Sequence, residues 1–142
     1  MAYCAEADIL AYLTSAELAQ LADLNGDGSA DAAVVARACT DASNAIDGYI
    51  SPRYTVPIPG TTPDLLKTIS VRWAIYLLQL ARQSVTEDTR KQHDDDISFL
   101  KLVGKGDASL GDPVNAGEGD RAPGIAVAAD ARAWSRTKLE GW

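Results

Sequence analysis

A chain of 142 residues with 46% hydrophobic and 23% charged residues has the composition of one globular domain, which excludes a protein that is disordered throughout. The net charge is -7, and the first 50 residues hold eight acids against Arg37 alone, which disfavours a protein that grips nucleic acid. Cys4 and Cys39 are too few for a disulfide framework. With no signal peptide and no apolar run of roughly 18 residues, we expect a soluble intracellular protein with reduced cysteines.

Two short helices are predicted at the beginning of the chain. In residues 6–13, Ile9, Leu10 and Leu13 recur at helical spacing and should share one apolar face. Thr14 is followed three residues later by Glu17, the pattern of a capping box, so a second helix should begin there.

Residues 23–31 resemble part of an EF-hand calcium loop, with oxygen-bearing side chains at positions one, three, five and nine. Such a loop ends with a bidentate Glu at position twelve, and here that position is Val34. One interpretation is an ion-free loop in which the side chains bond their own backbone amides as Asx turns. The other is weak binding of Ca²⁺, for which the candidate ligands are Asp23, Asn25, Asp27 and Asp31.

Three longer elements follow. Asp31 should cap a central helix over about 31–51, which ends at Pro52 and is followed by a stiff, proline-rich loop over 52–62. Thr62 as cap and Pro63 as first helical residue predict the next helix, over about 63–83, and its apolar character from Ile69 to Leu80 places it in the core or in a subunit interface. The last helix should run from Ser84 or Thr86 to about Val103, with Gly104 and Gly106 ending it.

The central helix is expected to bury one stripe of mostly small side chains against its neighbours. Those positions advance by four, three, four and three residues: Val35, Cys39, Ala42, Ile46 and Tyr49.

No catalytic constellation is visible. The single histidine, His93, has no cysteine neighbour for a zinc site and no nucleophile to activate, so we expect it on a solvated helical face. Asp94, Asp95 and Asp96 point in successive directions around a helix and are expected to form a solvated charge run. The sequence therefore predicts a protein that is not an enzyme and has no cofactor beyond weakly bound Ca²⁺.

The chain changes character beyond the helices. Residues 106–131 are rich in Gly, Pro, Asp and Ala, which is typical of a linker, whereas residues 132–142 contain Trp134 and Trp142. Large aromatic side chains at the end of an arm are natural anchors for a partner protein. We therefore divide the chain into a helical adaptor domain (1–105), a linker (106–131) and a C-terminal anchor (132–142).

Four segments carry a family resemblance: the turn LNGDGSAD, the helix end DASNAIDGYISPRY, the loop VPIP and the closing AWSRTKLEGW. Their order and spacing resemble those of the head-to-tail joining, or head completion, protein of Mu-like phages and prophages. The long insert around 111–131 departs from that pattern and leaves the path of the arm open. The motif positions are Asp23, Asp27, Gly28, Asp31, Asp47, Tyr49, Arg53, Tyr54, Trp134, Ser135, Arg136, Leu139 and Trp142.

The resemblance implies a structural protein of the virion neck, assembled in the host bacterial cytoplasm. It implies an all-α adaptor bundle of four to five helices with a long, mostly extended C-terminal arm. Copies would form a ring of twelve under the portal protein, contact a tail or stopper protein, and let DNA pass without specific binding. The candidate partner-binding residues are Arg53, Tyr54, Trp134, Arg136, Leu139 and Trp142. The alternative function is a small Ca²⁺-binding protein-interaction module that uses the 23–31 loop.

Overall fold

A computed structural model describes residues 2–111 of the chain, and the fold below is that of these residues. Five helices follow one another, and residues 2–111 contain no β-strand. The predicted all-α fold with four to five helices is confirmed, while the predicted extended arm lies outside the described residues. The helices are α1 (Glu6–Ile9), α2 (Ser15–Ala22), α3 (Ala32–Ile50), α4 (Asp64–Ala81) and α5 (Glu87–Lys105).

The core lies where α4 and α5 pack against the central helix α3, and the α3–α4 contact is the most extensive. Four members of the predicted α3 stripe are buried, and Tyr49 is half-buried at its end. The buried side chains of α4 include large apolar groups, among them Leu66, Ile69 and Trp73. Burial of such side chains, at roughly 1.5–3 kcal/mol each, is the main favourable term for the bundle. None of the described helices is both long and apolar enough to cross a membrane.

Local sequence signals account for most helix ends. The Thr14 hydroxyl accepts from the Glu17 N–H at 3.3 Å, and the Glu17 carboxylate accepts from the Thr14 N–H at 2.8 Å, so the predicted capping box is confirmed. The Thr86 hydroxyl accepts from the Thr89 N–H at 3.2 Å and opens α5. Gly106 has φ +90° and ends α5 in the left-handed conformation that glycine allows without strain.

One predicted helix start and two predicted helix ends need correction. α1 stops at Ile9, and residues 10–12 continue as turns, so Leu10 is 42% exposed instead of sharing the buried face. α4 begins at Asp64 because Pro63 has the extended ψ of 138° that belongs to a cap position. Gly104 lies inside α5 rather than ending it.

The segment before α1 is tied to the rest of the fold through Tyr3. Its backbone N–H donates to the Ser43 hydroxyl at 2.8 Å. Its side-chain hydroxyl donates to the Asp47 carboxylate and accepts from the Ile58 N–H at 3.1 Å. One residue therefore links the N-terminal segment, α3 and the proline-rich loop.

Candidate functional site

The acidic loop between α2 and α3 is held by hydrogen bonds from its own amides. The two Asp23 carboxylate oxygens accept from the N–H groups of Gly26 (2.6 Å) and Gly28 (2.9 Å). Asn25 and Asp27 accept in the same way from residues two positions further on, at 3.1 and 2.8 Å. These bonds are the Asx turns of the ion-free interpretation, and the Gly28 amide in particular holds the pKa of Asp23 below its ordinary value.

Asp31 stands at the cap position of α3, but its side chain does not cap the helix, which corrects the sequence prediction. The carboxylate turns back into the loop, where it accepts from the Leu24 N–H at 2.8 Å and from the Asn25 side-chain amide at 2.9 Å. The four predicted ligands thus lie in one loop, yet each is engaged by a donor within it. Among residues 2–111, no three His, Cys, Asp or Glu side chains form a group that could hold a metal ion. Calcium binding in this loop stays a prediction.

Arg82, at the end of α4, fixes the position of this loop, and no sequence pattern indicated that contact. Its guanidinium donates to the carbonyl oxygens of Leu21, at 3.1 Å, and Asp23. These carbonyls lie at the C-terminal end of α2, where a cation is favoured by the helix dipole and by unsatisfied acceptors.

The Arg53–Tyr54 corner follows α3 and contacts the end of α5. The Arg53 guanidinium carbon lies 5.9 Å from the centre of the Tyr54 ring, within the range of a cation–π contact. A Cβ atom added to Gly106 would lie 2.7 Å from Arg53 Nη1, which is the flexible end of that side chain, so glycine is needed there chiefly for its φ of +90°. Tyr54 is only 7% exposed and belongs to the core, so any contribution to partner binding would come through the shape of the corner.

The Asp47 carboxylate, near the end of α3, accepts a hydrogen bond from the Tyr3 hydroxyl. Burial and this hydrogen bond raise the pKa of Tyr3 far above its ordinary value, which keeps the phenol protonated as the donor.

Asp96 is a buried ion-pair partner, not part of a solvated charge run as predicted. Its carboxylate accepts from Arg72 Nε at 3.0 Å and from Arg72 Nη2 at 2.6 Å, and the Gln92 side-chain amide donates to it at 3.3 Å. The Asp96 side chain is 6% exposed and that of Arg72 is 33% exposed. Burial raises the pKa of Asp96, and the Arg72 charge opposes that rise.

His93 also lies inward, which overturns the prediction of a solvated face. Its ring stacks on Tyr76 with 4.0 Å between centres and lies 4.8 Å from the centre of Trp73. The His93 side chain is 19% exposed. One signal was available: His93, Asp96, Leu100 and Val103 advance by three, four and three residues, so they share one face of α5.

The remaining predicted site residues, Trp134, Arg136, Leu139 and Trp142, lie outside the described residues. The same holds for the predicted anchor, and the proposed domain boundaries stay predictions. Leu110, in the first part of the predicted linker, is 3% exposed and packs with the core.

The sequence is similar to a known protein family and to a protein of Haemophilus influenzae. A family model described as "Bacteriophage Mu, Gp36" matches residues 3–128. The Mu-like prophage FluMu protein gp36 of Haemophilus influenzae (strain ATCC 51907 / DSM 11121 / KW20 / Rd) is 38% identical over 94 residues. That match covers 66% of this chain and 64% of the relative, so the chain spans a little less than two thirds of the relative's length.

Proposed function

The chain belongs to the bacteriophage Mu Gp36 family, and from that premise we propose that it is a structural protein of a Mu-like virion that joins head to tail. The observation that carries the proposal is the family match, which runs over residues 3–128 and includes all five helices. In this proposal the chain is not an enzyme: copies form a ring of twelve at the virion neck, under the portal protein and above a tail or stopper protein.

The described surface has features that suit a ring subunit. A closed ring needs head-to-tail contacts, in which one face of each subunit meets a different face of the next. Large apolar side chains are exposed on separate elements: Leu10 and Leu24 in the N-terminal part, Leu65 and Leu80 on α4, and Leu102 on α5. We propose that some of these side chains become buried between neighbouring copies, together with the C-terminal anchor.

The charge distribution supports a passive relation to DNA. Several acidic side chains in the first 50 residues are exposed, namely Glu6, Glu17, Asp27 and Asp41. The cation of α3, Arg37, is paired with one of them, with 3.7 Å between Arg37 Nε and Asp41 Oδ2. Surfaces of this charge repel phosphate. A ring whose channel is lined by this part of the chain would let DNA slide without holding it.

Assembly on a portal ring tests the proposal. The purified full-length chain would be mixed with the portal protein of a Mu-like phage, and mass and shape would be followed by native mass spectrometry and electron microscopy. We expect a complex with one additional ring of about twelve copies, since the portal would template the head-to-tail contacts. A portal protein of an unrelated phage is the control.

Failure to bind the Mu-like portal, or equal binding to the unrelated one, would contradict the neck assignment. The same conclusion follows from the phage itself if deletion of the corresponding gene leaves heads and tails joined. If the assignment holds, the deletion yields separate heads and tails, and expression of this chain restores joined particles.

A further inference from the structure

Two cysteines and two serines form a polar cluster inside the bundle. Cys4 and Cys39 are free thiols and are buried, as are Ser43 and Ser70. The Ser70 hydroxyl donates to the Cys4 sulfur at 3.3 Å, and its oxygen lies 3.4 Å from the Ser43 oxygen. The Ser43 hydroxyl donates to the backbone carbonyl of Cys39 at 2.8 Å. The cluster therefore joins the N-terminal segment, α3 and α4.

The two thiols of this cluster are in contact with each other. Cys39 lies one turn before Ser43 on the same face of α3. The N-terminal segment contacts that face where the Tyr3 N–H donates to Ser43 at 2.8 Å, and the next residue is Cys4. The Cys4 and Cys39 side chains share a hydrogen bond. Because the chain has two cysteines in total, each is the other's only disulfide partner within one chain.

The shared hydrogen bond makes the two sulfurs chemically unequal. Donation by Cys39, with a smaller contribution from Ser70, lowers the pKa of the Cys4 thiol against the opposing effect of burial. The same hydrogen bond and burial raise the pKa of the Cys39 thiol. The thiolate is the nucleophile in thiol chemistry, so Cys4 is the sulfur that attacks first.

We propose that Cys4 and Cys39 are a site of reversible disulfide formation, which links the N-terminal segment covalently to α3. The oxidant is a low-molecular-weight disulfide, such as oxidised glutathione. This site does not depend on the neck assignment.

The reaction is two successive thiol–disulfide exchanges. The Cys4 thiolate attacks one sulfur of the oxidant, whose S–S bond breaks and releases one thiolate. The Cys39 thiol then loses its proton and attacks the Cys4 sulfur, so the mixed disulfide breaks and releases a second thiolate. The two departing thiolates take up the two cysteine protons. Overall, the cysteine pair is oxidised and the small disulfide is reduced to two thiols.

Opening of the N-terminal segment gives the oxidant access to the buried pair. Residues 2–5 precede α1 and lie outside any helix. Segments of this kind open locally at a free energy below that of global unfolding. Opening brings Cys4 to solvent while α3 stays folded, and closing returns it to Cys39. Once the disulfide has formed, the segment no longer detaches.

Oxidation of the full-length chain under native conditions tests the site. The reduced chain is incubated with mixtures of oxidised and reduced glutathione, quenched with acid, alkylated with iodoacetamide and analysed by intact mass spectrometry. We expect a monomer that has lost two hydrogen atoms and carries no alkyl group, and peptide mapping should find Cys4 joined to Cys39. Dithiothreitol should restore two thiols that can be alkylated.

Three results of this oxidation would overturn the proposal. They are a folded chain that keeps both thiols, a mixed disulfide with glutathione that persists, and a disulfide between two chains. A disulfide that forms only in urea counts as the first of these, because the native contact is then not competent to react.

Amide exchange and thermal unfolding test the covalent link. In the oxidised chain the Tyr3 amide should exchange more slowly than in the reduced chain. The midpoint of thermal unfolding should rise by about 5–15 °C, because the disulfide closes the loop that contains α1 and α2. Equal Tyr3 exchange in the two forms would show that the disulfide does not hold the segment, and would overturn the proposal.

Two matched variants test the order of attack. Cys39→Ser keeps the attacking sulfur and should stop at a mixed disulfide between Cys4 and glutathione. Cys4→Ser keeps the sulfur with the raised pKa and should react more slowly. The reverse order of rates would overturn the assignment of Cys4 as nucleophile. If either variant does not fold, oxidation of the parent chain decides the proposal.

Discussion

Protonation of the His93 ring affects the stability of the contact between α4 and α5. Stacked on Tyr76 and close to Trp73, the imidazole is largely removed from water, and this burial lowers its pKa, against the opposing effect of Asp94 and Asp96. The unfolded chain takes up this proton near the ordinary value of about 6.5, before the folded chain does. The stability that His93 contributes is therefore present above that pH and is lost as the pH falls toward the folded pKa.

Replacing His93 with Phe should remove this pH dependence while keeping a ring in the stack. Urea unfolding at about pH 8 and about pH 5.5 would measure it, because below the ordinary histidine pKa only the parent chain loses stability by this route. We expect the variant to lose less stability than the parent between the two conditions. An identical loss in both would show that His93 does not titrate differently on folding.

The Arg72–Asp96 pair should be costly to break. In Asp96→Ala, Arg72 keeps its charge but loses both hydrogen bonds, and because its side chain is 33% exposed it can turn partly to water. We expect a loss of about 2–3 kcal/mol in the free energy of unfolding, measured by urea titration. Asp95→Ala is the matched control, since Asp95 is exposed, and it should change stability by less than about 0.5 kcal/mol. Equal effects of the two variants would contradict a structural role for the ion pair.

The prediction that Asp96 and His93 of α5 face solvent was wrong. It rested on the general tendency of Asp and His side chains to be exposed. What buries them is a matched partner on another helix: Arg72 for Asp96 and the Tyr76 ring for His93. The sequence of α5 alone does not indicate which residue of another helix contacts either side chain. The Asx bonds of Asp23, by contrast, were predicted as one of two alternatives, because all of their donors lie within five residues.

At the scale of the helices, α5 packs against the backbone of α3 at Gly104. A Cβ atom added there would fall well inside contact distance of the backbone carbonyl oxygen of Tyr49. Backbone cannot move aside as a flexible side chain can, so the absence of a side chain at this position sets the distance between the two helices.

Gly104→Ala should therefore separate α3 from α5 and destabilise the fold by about 1–3 kcal/mol, as overpacking does. Gly48→Ala is the matched control in α3, where an added Cβ would meet nothing within 4 Å. Alanine is the better helix former, so this control should stabilise the fold by about 0.5–1 kcal/mol. Thermal and urea unfolding of both variants measure the two signs. A neutral or stabilising Gly104→Ala would show that the contact relaxes without cost.

The existence and order of the helices could be predicted from hydrophobic periodicity and capping residues. Some of the helix ends could not be predicted in this way. Thr14 with Glu17 was sufficient for the start of α2 because both bonds of the capping box are local. Gly104 was read as a helix end because glycine is typical of that place, and only the neighbouring backbone of Tyr49 shows its packing role. Interactions between distant segments are what single-sequence patterns do not contain.

At the scale of the whole molecule, we expect the proposed C-terminal anchor to be needed for assembly but not for folding. Residues 2–111 contain the five helices with their shared core, so deletion of residues 132–142 should leave the helical circular dichroism unchanged. The same deletion should abolish stable attachment to the portal ring, because large aromatic anchors dominate binding energy. Co-sedimentation with portal rings measures this.

A length-matched control separates the anchor side chains from the length of the arm. Replacement of residues 132–142 by Gly and Ser keeps the length and removes Trp134, Arg136, Leu139 and Trp142. It should behave like the deletion. Attachment that survives both changes would remove the anchor from the proposal, although the neck assignment could still be tested through the portal.

Family membership could be predicted from the sequence, whereas the ring and its neighbours are implied by the family resemblance alone. The order of four short segments indicated a Mu-like phage protein, and the family match over residues 3–128 agrees with this. Copy number and neighbours depend on surfaces that differ little in composition from the rest of a protein, which is why neither a pattern nor an isolated fold specifies them.

We expect Tyr3 to make the N-terminal segment and the loop after α3 open together. Because its hydroxyl accepts from the Ile58 amide while its own amide is bonded to Ser43, release of the N-terminal segment also frees the loop after α3. Amide hydrogen exchange should then show the Tyr3 and Ile58 protons with one common opening free energy, below that of the α3 core. The two ends of that contact, 55 residues apart in sequence, would behave as one cooperative unit.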